Sequence, residues 1–308
     1  MAEPAAVAQS APRAQARAAA YYTLCKPKVV MLIVFTALVG MFLASAGLPP
    51  AAALVFGTLG IALASASGAA LNHVVDRHLD AIMDRTHGRP LPQGELGTAQ
   101  ALAFAVGLGV IAIWVLLAFV NTLTAVLTFV ALIGYAVIYT MFLKRWTSQN
   151  IVLGGAAGAA PPILGWTAVT GEVHGEALLL FLIIFVWTPP HFWSLAIRRR
   201  EDYARAGIPM LPVTHGVPYT KLQIVLYTAL LVAVTLLPFL TQMSGLLYLS
   251  GALALGIGFL RHAIVLYRSD SDAHAMKTFS YSIFYLSLLF AFLLADHYVR
   301  LLLRAYFA

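Results

Sequence analysis

The chain has 308 residues, of which 61% are hydrophobic and only 10% charged, with a formal net charge of +7. Soluble domains carry roughly a quarter charged residues, so this composition excludes an ordinary soluble protein and points to a polytopic membrane protein. The basic residues are scattered over several loops without an arginine-rich arm, which excludes a nucleic-acid footprint.

Residues 1–20 are rich in Ala, Pro and Gln and lack the charged, apolar and cleavage regions of a signal peptide. They are expected to be a disordered cytoplasmic tail, with 21–308 forming a single transmembrane domain. Nine apolar runs follow, at 28–46, 51–73, 98–119, 122–143, 150–169, 176–197, 221–242, 245–266 and 279–302. Each is long enough to cross a hydrocarbon core of about 30 Å. The expected fold is all-α: about nine transmembrane helices bundled around a central cavity that opens to the cytoplasmic side. With the N-terminus inside, every Lys and Arg except Arg300 and Arg304 falls in an inner segment, so the positive-inside rule gives N-in, C-out. Cys25 is the sole cysteine, which leaves no intramolecular disulfide or cysteine metal cluster. A bacterial inner membrane is the simplest home, and the lipid bilayer the first partner.

At the end of the second span Asn72, Asp76, Asp80 and Asp84 recur at every fourth residue. On a helix each such step advances about 40° around the axis and about 6 Å along it, so these side chains form one inward stripe of oxygens. Unpaired carboxylates in such a row repel one another, and a divalent cation removes that penalty; Mg²⁺ takes such oxygens and shares its coordination with substrate phosphates. Gly88 and Pro90 are expected to end the helix. The same face carries Arg85 and Arg89, then Tyr139 to Lys144-Arg145 at the end of span four. After span six come Arg198-Arg199-Arg200-Glu201-Asp202-Tyr203. Arginine grips phosphate bidentately and lysine acts as a point charge. Taken singly, Lys144-Arg145 and Arg198-Arg199-Arg200 read equally well as membrane anchors, and His191 as a packing residue. Their coincidence with the acids favours a diphosphate ester of an apolar alcohol, its head at the membrane surface and its tail among the helices. Pro161-Pro162 and Pro189-Pro190 are expected to kink spans five and six, and Gly154-Gly155-Ala156-Ala157-Gly158 to allow close helix approach.

Three stretches, Asn72 to Leu91, Tyr139 to Arg145 with Asn150 to Pro162, and Thr188 to Pro212, resemble the UbiA-type intramembrane prenyltransferase superfamily, and within it the protohaem IX farnesyltransferase branch. Asn72-x-x-x-Asp76-x-x-x-Asp80 is the superfamily's mark. The haem-farnesylating branch is resembled by Thr188-Pro189-Pro190-His191-Phe192-Trp193 followed by Asp202-Tyr203 and Gly207-Ile208-Pro209-Met210-Leu211-Pro212. The resemblance implies transfer of farnesyl from farnesyl diphosphate to a vinyl group of haem B, with a water oxygen entering to give haem O. It implies Mg²⁺ held by Asn72, Asp76, Asp80 and Asp202, which with Lys144 make up the catalytic set. Arg77, Arg85, Arg89, Lys144 and Arg198 would hold phosphate oxygens, with Tyr139 donating a hydrogen bond. His191, rather than His297, would orient haem together with Trp193. Many superfamily members carry a second Asp-x-x-x-Asp motif, whereas the residue four before Asp202 is Arg198, so a second metal site is not implied. A downstream haem-modifying or oxidase-assembly protein would be a further partner. Two other readings are a prenyltransferase for a quinone precursor or other aromatic acceptor, against which the Pro-His-Phe-Trp segment argues, and a secondary transporter, which would place its charges near mid-membrane.

Overall fold

The computed structural model describes residues 10–307, with side chains from residue 15, and among these every regular element is helical. Helix α1 (Ser10–Leu24) meets α2 (Pro27–Leu43) at a bend of 48°. Pro27 opens α2, where its missing N–H would have no partner in any case. Lys26 fills the break in a left-handed conformation with φ of 48°, which costs a side-chain-bearing residue roughly 1–2 kcal/mol. Five long helices follow: α3 (Ala53–Ile82), α4 (Thr98–Phe119), α5 (Thr122–Trp146), α6 (Asn150–Thr170) and α7 (Gly175–Arg198). Two short ones, α8 (Arg200–Arg205) and α9 (Leu211–Thr214), lead to α10 (Val217–Leu240), α11 (Leu246–Arg268) and α12 (Ala273–Phe307). Among the described residues eight helices are long and apolar enough to cross a membrane, and the bent α1–α2 pair is a ninth if it is one span. The nine apolar runs of the sequence are all recovered in these helices.

Three boundaries differ from expectation. Residues 10–20, expected to lack structure, belong to α1, while residues 1–9 of that tail lie outside the described residues. Helix α3 ends at Ile82, before Gly88 and Pro90 are reached, so Asp84 is not on it. The proline pairs behave unequally: Pro161 opens a second segment within α6, whereas α7 runs on through Pro189 and Pro190.

Neighbours in sequence pack as neighbours, and α12 returns against both α7 and α2 to close the bundle. The largest buried cluster joins Val39 of α2, Trp166 of α6, Trp187 of α7, Phe259 of α11 and Phe290 of α12. The outside is apolar, with Val110, Trp114 and Ile257 each more than half exposed. That is the distribution expected of helices solvated by lipid. Helices α2 and α6 touch backbone to backbone, because a Cβ on Gly165 would strike the Ala37 carbonyl and one on Gly40 the Pro162 carbonyl. Gly165→Val is therefore expected to lower stability by about 1–3 kcal/mol through overpacking. Thermal unfolding of the detergent-solubilised protein reads this directly, and an unchanged midpoint would mean that the two helices part freely.

Candidate active site

Asn72, Asp76 and Asp80 project from one face of α3 and are buried, with exposures of 6%, 1% and 3%. Polar groups at that depth need partners. Asn72 Nδ2 donates to Asp76 Oδ2 at 2.7 Å, and Asn72 Oδ1 accepts from Lys26 Nζ at 2.5 Å. Lys144 Nζ donates to the same Asp76 oxygen at 2.6 Å. Arg89 donates to Asp80 Oδ2 at 2.6 Å. Each oxygen-bearing member of the stripe thus faces one cation, and the three cations come from three places: the α1–α2 break, the end of α5 and the loop after α3. Desolvation offsets most of the Coulombic gain of such buried pairs, so packing alone gives little reason to keep them.

Helix α5 delivers its cation through an altered turn. Residues Gly134–Leu143 are π-helical, with a wider spacing than an α-helix provides. Thr140 Oγ1 donates to the Tyr135 carbonyl at 2.8 Å and lies 3.5 Å from Asn72 Nδ2. Lys144, four residues on, reaches Asp76. Tyr139 stacks on Tyr135 with ring centroids 5.7 Å apart, and its ring lies over Gly154, where a Cβ would collide with it. The small residues of α6 therefore admit the Tyr139 ring on one side and Thr188 of α7 on the other. Asp76, Tyr203 and Arg85 are among the electrostatic neighbours of the Tyr139 hydroxyl.

The second loop meets the first. Asp202 on α8 is 5% exposed. A single nitrogen of Arg205 donates to Asp202 Oδ1 at 2.5 Å and to Asp84 Oδ2 at 2.5 Å. Asp84 is accordingly not a fourth member of the stripe but half of a clasp between loops, and the Arg205 bond holds its carboxyl below the usual carboxylate range. Met83 packs with Tyr203, Ile208 and Met210 beneath that clasp, and burial pushes the Tyr203 hydroxyl up from its ordinary value.

Two buried carboxylate oxygens, Asp76 Oδ1 and Asp202 Oδ2, have no hydrogen-bond partner, and the Arg199 guanidinium stands 3.8 Å from the second. An ionised oxygen without a donor is costly, and a hard cation satisfies it. Among the described residues no three His, Cys, Asp or Glu side chains converge on one point. Asp76 Oδ1 and Asp202 Oδ2 would suit an ion that takes a few protein oxygens and completes its shell with substrate phosphate, as Mg²⁺ does.

The other expected site residues divide. Arg85 and Arg198 lie exposed at this end of the bundle. Arg77 turns back to donate to the Val74 carbonyl at 3.0 Å and is not brought to the stripe. His191 is stacked between Trp187 and Phe279, with centroids 4.1 and 4.5 Å away. Ser282 Oγ donates to the Phe279 carbonyl at 2.6 Å, so it accepts from His191 Nδ1–H, also at 2.6 Å. That fixes the tautomer and leaves the imidazole lone pair at Nε2. Trp193 does not share this surface. Two residues along a helix turn the side chain by about 200°, and Trp193 is buried on the opposite face against Tyr227, with centroids 5.2 Å apart. It packs in a buried cluster with Ile197 and Leu211, away from the surface that carries His191. His297 lies at the far end of the bundle, bonded to the Ser45 carbonyl at 2.9 Å. Lys26, Thr140, Arg199 and Arg205 were not singled out from sequence. Only Lys26 carries a local signal, a lysine held just ahead of a helix-opening proline.

Fold and site together define a multi-pass membrane protein that gathers acids and cations at one end of a helical bundle, the arrangement of an intramembrane enzyme acting on a phosphorylated lipid-like ligand. The chain belongs to the UbiA prenyltransferase family, whose model matches residues 33–289. It is 67% identical over 283 residues to a protoheme IX farnesyltransferase of Thioalkalivibrio sulfidiphilus, covering 92% of this chain and 94% of that one. Among solved structures it is similar to digeranylgeranylglyceryl phosphate synthase, with TM-score 0.77 and 17% identity, over 91% of this chain and 98% of that one. It is also similar to a UbiA homologue from Archaeoglobus fulgidus bound to GPP and Mg²⁺, with TM-score 0.65 and 16% identity over 89% and 99% of the two chains.

Proposed function

We propose that this protein transfers the farnesyl group of farnesyl diphosphate to a vinyl group of haem B, making haem O, in the inner membrane of a bacterium and with the stripe end of the bundle facing the cytoplasm. The diphosphate half of this reading is carried by the alternation of acids and cations on one buried face. The acceptor half is carried by the 67% identity to a protoheme IX farnesyltransferase over nine-tenths of both chains.

Asn72, Asp76, Asp80 and Asp202 are the residues that would hold Mg²⁺, in keeping with the metal bound in the Archaeoglobus fulgidus homologue. Bound there, the ion neutralises charge on the diphosphate as the bond to the allylic carbon breaks. Lys26 exchanges the Asn72 amide oxygen, and Lys144 and Arg89 their carboxylate partners, for phosphate oxygens, with Arg85 and Arg198 at the rim. Because these groups bind the departing diphosphate more tightly than the intact ester, they lower the barrier rather than only the KM. Tyr139 donates to a phosphate oxygen from its seat over Gly154. The allylic cation is kept from water by the apolar bundle, and the vinyl carbon of haem supplies the electron pair for the new carbon–carbon bond. Water oxygen then adds to the neighbouring vinyl carbon, its proton going to solvent. His191, in the tautomer set by Ser282, turns Nε2 toward the porphyrin.

The experiment is to incubate purified protein with haem B, farnesyl diphosphate and Mg²⁺ and analyse the porphyrin by mass spectrometry. A gain of one farnesyl and one hydroxyl group is expected, and chelation of the metal should stop it. Unmodified haem alongside released diphosphate would sink the acceptor assignment, and full activity in metal-free buffer the metal assignment.

A further inference from the structure

The end of the bundle remote from the stripe holds a cavity of about 290 Å³ between α2, α6, α7, α12 and the α10–α11 connection. Trp166, Glu176, Met243, His297, Arg300 and Arg304 line it. Trp166 is only 6% exposed, and its indole N–H has no acceptor. Arg300 and Arg304, one helical turn apart, are the two basic residues that the positive-inside pattern leaves on the wrong side, and both line this cavity. The wall around them is fixed. Arg300 donates to the Met243 carbonyl at 3.0 Å and the Gln242 carbonyl at 3.2 Å. Asp296 accepts from the backbone N–H groups of Gly245 and Tyr248 at 2.6 and 3.2 Å. Helix α12 thus pins the α10–α11 connection, and the cavity does not depend on a loose loop.

Guanidinium donors suit a phosphate, and Glu176 in the same lining suits an ammonium. The volume lies at the lower edge of small-ligand cavities, which run from about 300 to 1,000 Å³, so a headgroup enters while acyl chains stay in the surrounding lipid. We propose that this cavity binds the zwitterionic headgroup of a membrane lipid, phosphate on Arg304, primary ammonium on Glu176. The site is independent of the prenyl-transfer chemistry at the other end.

Native mass spectrometry of the detergent-solubilised full chain, titrated with dioleoyl phosphatidylethanolamine, phosphatidylcholine and phosphatidylglycerol, tests it. Phosphatidylethanolamine is expected to be retained over both others, since phosphatidylcholine has no N–H for Glu176 and phosphatidylglycerol no ammonium. Arg304→Gln should reduce its occupancy about tenfold, the loss of one charge-assisted bond, with farnesyl transfer unchanged. Glu176→Gln should erase the preference for phosphatidylethanolamine over phosphatidylglycerol. Equal retention of the three lipids, or wild-type occupancy in Arg304→Gln, would overturn the proposal. Inorganic phosphate alone matching the lipid's occupancy would do so as well, because the ammonium and the chains would then contribute nothing.

Discussion

Asp76→Asn is expected to lower kcat about 10³-fold while leaving a folded membrane protein. Asp76 holds one oxygen toward Lys144 and Asn72 and the other without a donor. In the proposed site it would link the cation that meets phosphate to the oxygen that meets metal. Loss of a preorganised charge at a site where charge develops in the transition state costs on the order of 10²–10³ in rate, and this residue serves two such groups. The substitution also leaves the Lys144 ammonium buried without its ion partner, which is itself destabilising by about 3–5 kcal/mol in the worst case. A double variant, Asp76→Asn with Lys144→Met, removes that complication. If it folds as wild type and remains inactive, the defect is chemical. Near-normal turnover in either variant would contradict the role given to Asp76.

His191→Phe is expected to lower kcat/KM for haem about 10²-fold with little change in the KM for farnesyl diphosphate. The phenyl ring preserves the stack between Trp187 and Phe279 and removes only the nitrogens, so packing is held constant while the lone pair at Nε2 is lost. Ser282→Ala frees the tautomer without deleting the imidazole and should give a smaller effect in the same direction. Steady-state kinetics with each substrate varied separately makes the split visible. An equal fall for both substrates would assign His191 to the fold and not to the porphyrin.

The stripe was readable because four-residue spacing maps directly onto one helical face, and the apolar runs because a bilayer demands uninterrupted length. Asp84 shows where that reading fails. Periodicity continues in the sequence after the helix stops at Ile82, so the same spacing that joins Asp76 to Asp80 hands Asp84 to Arg205 instead. Trp193 shows a different limit: adjacency in a motif suggests a shared partner, while helical rotation sends His191 and Trp193 to opposite sides. Lys144 was readable as a charge at a span's end, but the π-helical turn that aims it at Asp76 leaves no mark in composition. Lys26 was passed over as one of many inner basic residues, since nothing in the chain order says that the α1–α2 break lies beside Asn72.

The return of α12 onto α7 and α2 has a bearing on the order in which the protein is made. Every residue assigned to the diphosphate has left the ribosome by Arg205, so that half of the centre is completed early in synthesis. Phe279 and Ser282, which hold His191 in its tautomer, emerge with the final helix. A nascent chain arrested before residue 273 would thus carry a finished anion cradle but an untethered imidazole, and competence toward the porphyrin would arrive last, with the same helix that shuts the bundle.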